Sequence, residues 1–201
     1  MKSNSKYRIL SIFISLLLIV FVFFSYQGKK TKTFKLDSTI DKFKLLTHTG
    51  QKFNSQLFSK SPSLLFFGFT NCPDICPMTL DTISNLIEKL DTNANRLNYY
   101  FITVDPEKDN IETLNDYLKN FNKKIIGVTG SVSDMQNFLT HMYIYSKKIY
   151  LDNDIYTVDH SSQIFIFDIN GNFFGTISSG ENDETIFGKI NKVISVRSAA
   201  W

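Results

Sequence analysis

The hydrophobic pattern of the chain consists of short apolar runs that alternate with amphipathic segments. Residues 64–69 form a nearly continuous apolar run, Leu-Leu-Phe-Phe-Gly-Phe, which is typical of a strand buried on both faces. Apolar residues then recur at helical spacing at Ile83, Leu86, Ile87 and Leu90. We therefore predict a central strand followed directly by an amphipathic helix.

The same alternation continues along the chain. The pattern predicts a second strand over residues 99–104 and a second helix that Asp109 or Asn110 caps. A short third strand over residues 125–128 and a helix that opens with a capping box at Ser133 follow. Because strands alternate with helices, we expect a parallel sheet with crossover connections.

The carboxyl-terminal third has a different pattern. Residues 164–167 and 173–177 are apolar runs joined through Asn170-Gly171. An Asn-Gly pair between apolar runs is the strongest short signal for a β-hairpin. We therefore expect antiparallel strands here.

Two further elements flank this core. Residues 43–46 and 51–53 surround a turn that ends at Gly50, and they predict a short opening hairpin. A closing helix begins near Asn182 or Asp183. This order of elements is that of an α/β protein with a thioredoxin-like fold and additional elements.

The amino-terminal segment is apolar enough to span a membrane. Residues 9–26 carry no charge, and as a helix they reach roughly 27 Å, close to the ~30 Å hydrocarbon core of a bilayer. Residues 1–8 form a basic leader, so a cleaved signal peptide is the alternative, but the run lacks the small residues of a cleavage site. We predict a transmembrane helix over residues 9–26, a linker over 27–40 and one domain over 41–201. Lysines on both sides of the span leave its orientation open.

The charge of the chain is unevenly distributed. Residues 1–35 hold seven Lys or Arg and no acidic residue, although the whole chain has a net charge of +3. The remainder has 15 basic and 19 acidic residues, a net charge of −4. A mildly acidic domain lacks the basic surface that nucleic-acid binding requires, so we expect no nucleic-acid partner.

The two cysteines, Cys72 and Cys76, lie between the predicted central strand and its helix. Pro77 suits the first turn of a helix, which places Cys76 at the helix amino terminus, where the dipole favours a thiolate. Two thiols four positions apart can bind a soft metal ion, form a disulfide, or alternate between the two. A plain disulfide in an extracytoplasmic domain is the alternative, although closing so short a loop removes little entropy from the unfolded chain.

A metal ion on two thiolates needs at least one further ligand, and the histidines are His48, His141 and His160. A hairpin tip for His48 and a helical position for His141 favour solvated or packed roles. His160 lies in the predicted loop before the last hairpin, which in thioredoxin-like folds runs beside the cysteine helix, and Asp159 could orient its imidazole. No spacing rule decides for His160, which stays open on this basis. Two thiolates and one imidazole favour Cu(I) or zinc, and an incomplete shell argues against structural zinc.

A second group of candidate ligands is acidic. Asp105, Glu107 and Asp109 follow the second predicted strand and could form a hard-metal cluster. The favoured interpretation is a strand end and a helix cap in a loop that faces a partner.

Three motifs together resemble the Sco/SenC family. They are Gly-Phe-Thr-Asn-Cys-Pro-Asp-Ile-Cys-Pro at residues 68–77, Phe-Ile-Thr-Val-Asp-Pro-Glu-Lys-Asp at 101–109 and Tyr-Thr-Val-Asp-His-Ser at 156–161. The resemblance covers roughly residues 40 to 195. The family consists of membrane-anchored, thioredoxin-like copper proteins that help to assemble cytochrome c oxidase.

The resemblance implies a specific site and location. By position it assigns copper, as Cu(I) or Cu(II), to Cys72, Cys76 and His160. It implies a single-pass protein of the cytoplasmic (inner) membrane with its globular domain on the periplasmic side. Asn71 is a departure, because many members carry His there; that residue is not a family ligand.

The resemblance implies a copper chaperone that delivers copper to, or maintains the thiols of, the dinuclear copper site in cytochrome c oxidase subunit II. The alternative is a membrane-tethered thiol-disulfide oxidoreductase in which Cys72 and Cys76 are the redox-active pair. A third hypothesis is a peroxide-reducing thiol protein. The sequence does not indicate an oligomeric state.

Overall fold

The computed structural model describes residues 12, 14–18, 20, 35–152 and 155–196. It divides the chain into two units, residues 1–33 and 34–201. The described residues of the first unit are helical and exposed, and the rest of the predicted span over residues 9–26 lies outside the described part. Within the described residues, no helix has both the length and the apolar character needed to cross a membrane.

The second unit is a mixed α/β structure. Its strands are β1 (Leu46–Thr47), β2 (Ser63–Gly68), β3 (Asn98–Thr103), β4 (Ile125–Thr129), β5 (Ser146–Asp152), β6 (Ile155–His160), β7 (Ile164–Phe167) and β8 (Phe173–Ile177). Its α-helices are α1 (Ile75–Leu90), α2 (Ile111–Leu118), α3 (Val132–His141) and α4 (Asp183–Ser195). Short 3-10 helices cover Ser38–Lys42, Ser55–Phe58 and Asp91–Arg96.

The strands form two sheets. Six of them pair in the order β1-β4-β3-β2-β7-β8, and β5 pairs with β6 in a separate two-stranded sheet. The pairs β2–β3 and β3–β4 are parallel, which confirms the predicted crossovers, and β7 runs antiparallel to β2. All six residues of β2 are buried, as its apolar run predicts. The loop that carries Cys72, residues 69–74, is called the cysteine loop. It leaves the sheet at the carboxyl end of the interior strand β2, where functional sites of α/β proteins usually lie.

Helices cover both faces of the large sheet. A Cβ at Gly68 would meet the Cys76 sulfur of α1, and a Cβ at Gly127 would meet Leu118 of α2, so α1 and α2 share one face. On the opposite face, Phe53 packs on Tyr100 of β3, and Phe138 of α3 packs edge-to-face on Phe53, with ring centroids 6.2 Å apart. Leu36 and Ile40, in the stretch predicted as a linker, are also buried.

The observed amino-terminal caps differ from the predicted cap for one helix and decide between two candidates for each of two others. The helix α3 begins at Val132, and its cap is Ser131, whose hydroxyl accepts the Asp134 amide at 3.1 Å. The predicted capping box at Ser133 is therefore wrong by two residues. Of the paired candidates, Asn110 caps α2 and Asn182 caps α4.

The hairpins match the prediction in part. Strands β7 and β8 have the predicted bounds, with Gly171 at φ +74° in the turn. Around Gly50 the chain turns back through a bridge between Leu46 and Lys52, but β1 also pairs with β4, which the sequence did not predict. Strand β5 was not predicted, and His160 is the last residue of β6 rather than part of a loop.

Candidate metal centre

The sulfur of Cys72 takes the place of the usual side-chain cap at the amino terminus of α1. Asp74 occupies the cap position but makes no capping hydrogen bond with its side chain. Instead, the Cys76 amide in the first turn donates to the Cys72 sulfur over 3.4 Å. Since the first amides of a helix have no partner within the helix, this contact satisfies one of them and directs it at the thiol. The predicted placement of Cys76 in the first helical turn is confirmed.

Cys76 lies against the end of β2, where only glycine fits. An added Cβ at Gly68 would stand 2.8 Å from the Cys76 sulfur and 2.7 Å from Cε2 of Phe101. Cys76 is fully buried, whereas Cys72 retains 9% exposure, and neither is in a disulfide. Both cysteines are therefore free thiols that a metal ion can bind, and Cys72 is the one nearer to solvent.

Burial controls the protonation of Cys76. Removal from water raises the pKa of this thiol, and a backbone hydrogen bond from Phe69 opposes the shift without cancelling it. Burial therefore favours the neutral thiol at Cys76 and opposes the effect of the helix amino terminus, which favours the thiolate. A metal ion that binds Cys76 has to displace its proton.

His160 reaches the cysteines from the two-stranded sheet. Its Nε2 lies 3.6 Å from the Cys76 sulfur, and its Nδ1 lies 2.9 Å from the carbonyl oxygen of Ser161. Because a carbonyl only accepts, Nδ1 carries a proton, and in the neutral form of the imidazole the lone pair of Nε2 faces the sulfur. The Ser161 carbonyl, rather than Asp159, thus orients the imidazole as a potential ligand.

The three side chains form a compact donor set. Their donor atoms, two sulfurs and one imidazole nitrogen, all lie within 4.8 Å of one another. Three donors that each lie about 2.0–2.3 Å from one ion, as around zinc, are roughly 3.3–4.0 Å from one another. A contraction of about 1 Å in the widest separation therefore brings this set around one ion. Two sulfurs and one imidazole suit a soft ion such as Cu(I).

The other two histidines lie outside this group. Nδ1 of His48 accepts the Gly127 amide at 2.9 Å, and Nε2 of His141 lies 3.0 Å from the Thr39 hydroxyl. Neither belongs to a metal-binding group in the described part of the chain. The packed role expected for His141 fits its contacts, whereas His48 is tied to the backbone rather than solvated.

The acidic motif also has a structural role. Asp109 is buried, and its carboxylate accepts the Thr70 amide at 3.0 Å and the hydroxyls of Thr70 and Thr103 at 2.6 Å. Burial raises the pKa of this carboxyl group, while those hydrogen bonds oppose the shift. Asp109 therefore fixes the start of the cysteine loop to β3, two residues before Cys72. Nothing among the described side chains supports a hard-metal cluster at this loop.

Tyr117 is a residue near the site that the sequence did not reveal. Its ring lies 5.8 Å from that of Phe101, which borders Gly68 and Cys76. Its hydroxyl is buried and has no hydrogen-bond partner among the described residues. Helical spacing predicts only that Tyr117 faces inward.

We expect Tyr117→Phe to raise the free energy of unfolding by about 1 kcal/mol, because it removes a buried, unsatisfied hydroxyl. Urea unfolding of the reduced chain measures this change. Tyr99→Phe is the matched control, since the buried Tyr99 hydroxyl donates to the Ala94 carbonyl at 3.2 Å and its loss should destabilise the fold. If both variants are destabilised equally, the Tyr117 hydroxyl has a partner after all.

Comparison with known proteins identifies the family. The SCO1/SenC family model matches residues 31–195. This chain belongs to the SCO1/SenC family. Among the SCO1/SenC relatives, an SCO2-like protein of Rickettsia prowazekii is 39% identical over 133 residues, which are 65% of this chain and 65% of the relative. The chain thus spans just under two thirds of that relative's length.

Solved SCO1/SenC structures share the fold. ScoI of Bradyrhizobium japonicum, solved with copper bound, has a TM-score of 0.70 and 30% identity, with 75% of this chain and 96% of that one covered. Yeast Sco1 with copper bound has a TM-score of 0.70 and 31% identity, with 78% and 89% covered. The mixed α/β domain described above is therefore the Sco form of the thioredoxin-like fold.

Proposed function

We propose that this chain is a copper chaperone that carries copper on Cys72, Cys76 and His160 for the assembly of cytochrome c oxidase. The observation that carries the proposal is the gathering of these three donors within 4.8 Å, in a chain about 30% identical to structures solved with copper bound. The donors come from segments 84 residues apart, so the fold itself brings them together.

The site suits transfer of its cargo as well as binding. Three protein donors leave a soft ion with a low coordination number, so an acceptor's ligand can enter before a resident ligand leaves. Cys72 and His160 retain some exposure, whereas Cys76 has none. An incoming ligand therefore meets Cys72 and His160 first, and Cys76 holds the ion last.

The proposal also includes a partner protein that accepts the copper and a location in the inner membrane. Subunit II of the oxidase, with its dinuclear copper site, is the acceptor that the Sco/SenC resemblance implies. The uncharged run over residues 9–26 supports a single-pass anchor in the inner membrane. The domain then lies on the periplasmic side, where the resemblance places the oxidase copper.

The second candidate is a membrane-tethered thiol-disulfide oxidoreductase. The free pair Cys72 and Cys76 at the start of a helix supports it. In such exchange the two thiols pass two electrons and two protons to a partner disulfide and become a disulfide themselves. The same oxidation removes both sulfur ligands, so copper binding and thiol exchange exclude each other at any one time.

We expect His160→Ala to separate the two candidates. Under the chaperone proposal this variant fails to support oxidase assembly in a strain that lacks the chain, although Cys72 and Cys76 remain redox-active. His141→Ala is the matched control, because His141 lies on α3 and contacts Thr39 instead. Full oxidase assembly with His160→Ala, together with loss in the cysteine variants, would favour the oxidoreductase.

A further inference from the structure

The metal-binding group is assembled from two parts of the fold that share no sheet. Cys72 and Cys76 follow β2 in the six-stranded sheet, whereas His160 ends β6 in the two-stranded sheet. A two-stranded sheet is at best marginally stable by itself. The position of His160 relative to the sulfurs therefore depends on contacts that hold the β5–β6 hairpin to the rest of the domain.

Tyr156 makes such a contact on the strand that carries His160. Its hydroxyl donates to the Asp105 carboxylate, with oxygen distances of 3.0 and 3.1 Å. The Lys108 ammonium lies 3.7 Å from the Tyr156 ring centroid, and that of Lys148 lies 4.4 Å from it. Asp105 and Lys108 belong to the loop between β3 and α2, so this loop contacts the hairpin through Tyr156. An ion pair between Glu107 of the same loop and Lys148 of β5, with the charged atoms 2.6 Å apart, is a second contact.

The carboxyl-terminal end of the loop between β3 and α2 is hydrogen-bonded to the cysteine loop. Asp109 accepts hydrogen bonds from the amide and hydroxyl of Thr70, at the start of the cysteine loop. Within the 105–109 segment, the Asp109 amide donates to the Asp105 carbonyl at 2.9 Å, and the Asp105 amide donates to the Thr103 hydroxyl at 2.9 Å. The segment is thus bonded to the cysteine loop at one end and to the histidine strand at the other.

We infer that Tyr156 is a positioning residue for His160, and that its hydrogen bond to Asp105 sets the distance between the imidazole and the two sulfurs. Asp105 is 1% exposed, and a buried carboxylate retains its hydrogen-bond donors strongly. Tyr156 and His160 are four positions apart in one strand and share a face, so displacement of Tyr156 moves His160 with it. This inference rests on the proposed copper-binding function.

The test is Tyr156→Phe, which keeps the ring and the lysine contacts and removes only the hydroxyl. We expect Cu(I) affinity of the reduced, full-length chain to fall about tenfold, the lower end of what loss of an outer contact costs a metal site. The reduction potential of the Cys72–Cys76 pair should stay unchanged, because the contact acts on His160. Tyr150→Phe is the matched control: Tyr150 lies on the same hairpin and is 70% exposed, and it should retain wild-type affinity.

A double-mutant cycle distinguishes positioning from general destabilisation. In a His160→Ala background, Tyr156→Phe should cause no further loss of Cu(I) affinity. A further tenfold loss there, or wild-type affinity for Tyr156→Phe alone, overturns the inference and leaves the copper proposal intact.

A measurement without copper distinguishes failure of the proposed copper-binding function from failure of the inference about Tyr156. In the reduced apo chain, Tyr156→Phe should speed amide hydrogen exchange in β6 and leave exchange in β2 unchanged. If the wild-type chain binds no copper, the proposed function fails, yet this exchange result still decides whether Tyr156 fixes the strand. Unchanged exchange in β6 contradicts the inference whatever the copper result.

Discussion

Cys76→Ser should lower Cu(I) affinity by at least about 100-fold, because loss of outer contacts alone costs metal sites 10- to 100-fold and this change removes a ligand. Serine is close in size to cysteine and fits the fully buried position beside Gly68, so the fold should survive. Its hydroxyl is a poor donor for a soft ion. Competition with a Cu(I) chelator under reducing conditions measures the change.

The control for this variant lies on the same helix. Thr82→Ser on α1 keeps a hydroxyl at a position exposed to solvent and should leave Cu(I) affinity unchanged. Wild-type affinity in Cys76→Ser would show that the buried sulfur is not a ligand. Since burial raises the pKa of Cys76 and copper must displace its proton, wild-type affinity should increase with pH across the neutral range.

Gly68→Ala should lower the free energy of unfolding by about 2–3 kcal/mol, the upper range for overpacking a core. The new methyl group would stand 2.7 Å from the Phe101 ring and 2.8 Å from the Cys76 sulfur. Both neighbours are fully buried and cannot move into solvent. The cheapest relief is a displacement of the Cys76 side chain, so Cu(I) affinity should fall as well.

Gly188→Ala is the control for this substitution. Gly188 lies within α4, and a Cβ there meets no atom within 4 Å. Alanine at this position should raise the free energy of unfolding by about 0.5–1 kcal/mol, because glycine is unfavourable inside a helix. Urea unfolding of both variants checks the opposite signs, and a Gly68→Ala chain as stable as wild type would contradict the packing account.

The sequence predicts those parts of the fold in which one local signal dominates. Strand β2 is buried on both faces and therefore reads as one apolar run, and the β7–β8 hairpin has an Asn-Gly turn that sets its bounds. Strand β5 was missed because its pattern is not that of a strand packed on a core. It contains Lys147, Lys148 and an exposed Tyr150, and among the strands that the structure describes it pairs with β6 alone.

Some features of the site also follow from local sequence, and others depend on the fold. The placement of Cys76 follows from Pro77 and the strand-to-helix change, so local sequence is sufficient for it. His160 depended on the family resemblance, because no local pattern connects it with cysteines 84 residues away. The sequence indicates only the helix terminus, which favours a Cys76 thiolate. The opposing effect of burial on the pKa of Cys76 depends on neighbours that only the fold supplies.

Packing contacts explain the remaining differences. Asp109 and Asn110 are equally good caps by sequence, yet Asn110 caps α2, and Asp109 instead accepts a hydrogen bond from Thr70 in the loop that follows the neighbouring strand. Gly68 reads as one residue of an apolar run, and its necessity follows only from the approach of the Cys76 sulfur. These long-range contacts are the ones that hold the candidate ligands in place.

The most direct test of the central claim is X-ray absorption at the copper edge, on the reduced, full-length chain loaded with one equivalent of Cu(I). The account predicts two sulfur neighbours and one imidazole nitrogen around the ion, with the nitrogen lost in His160→Ala and one sulfur lost in Cys72→Ser. Copper surrounded only by oxygen or nitrogen, or a wild-type spectrum from His160→Ala, would contradict it.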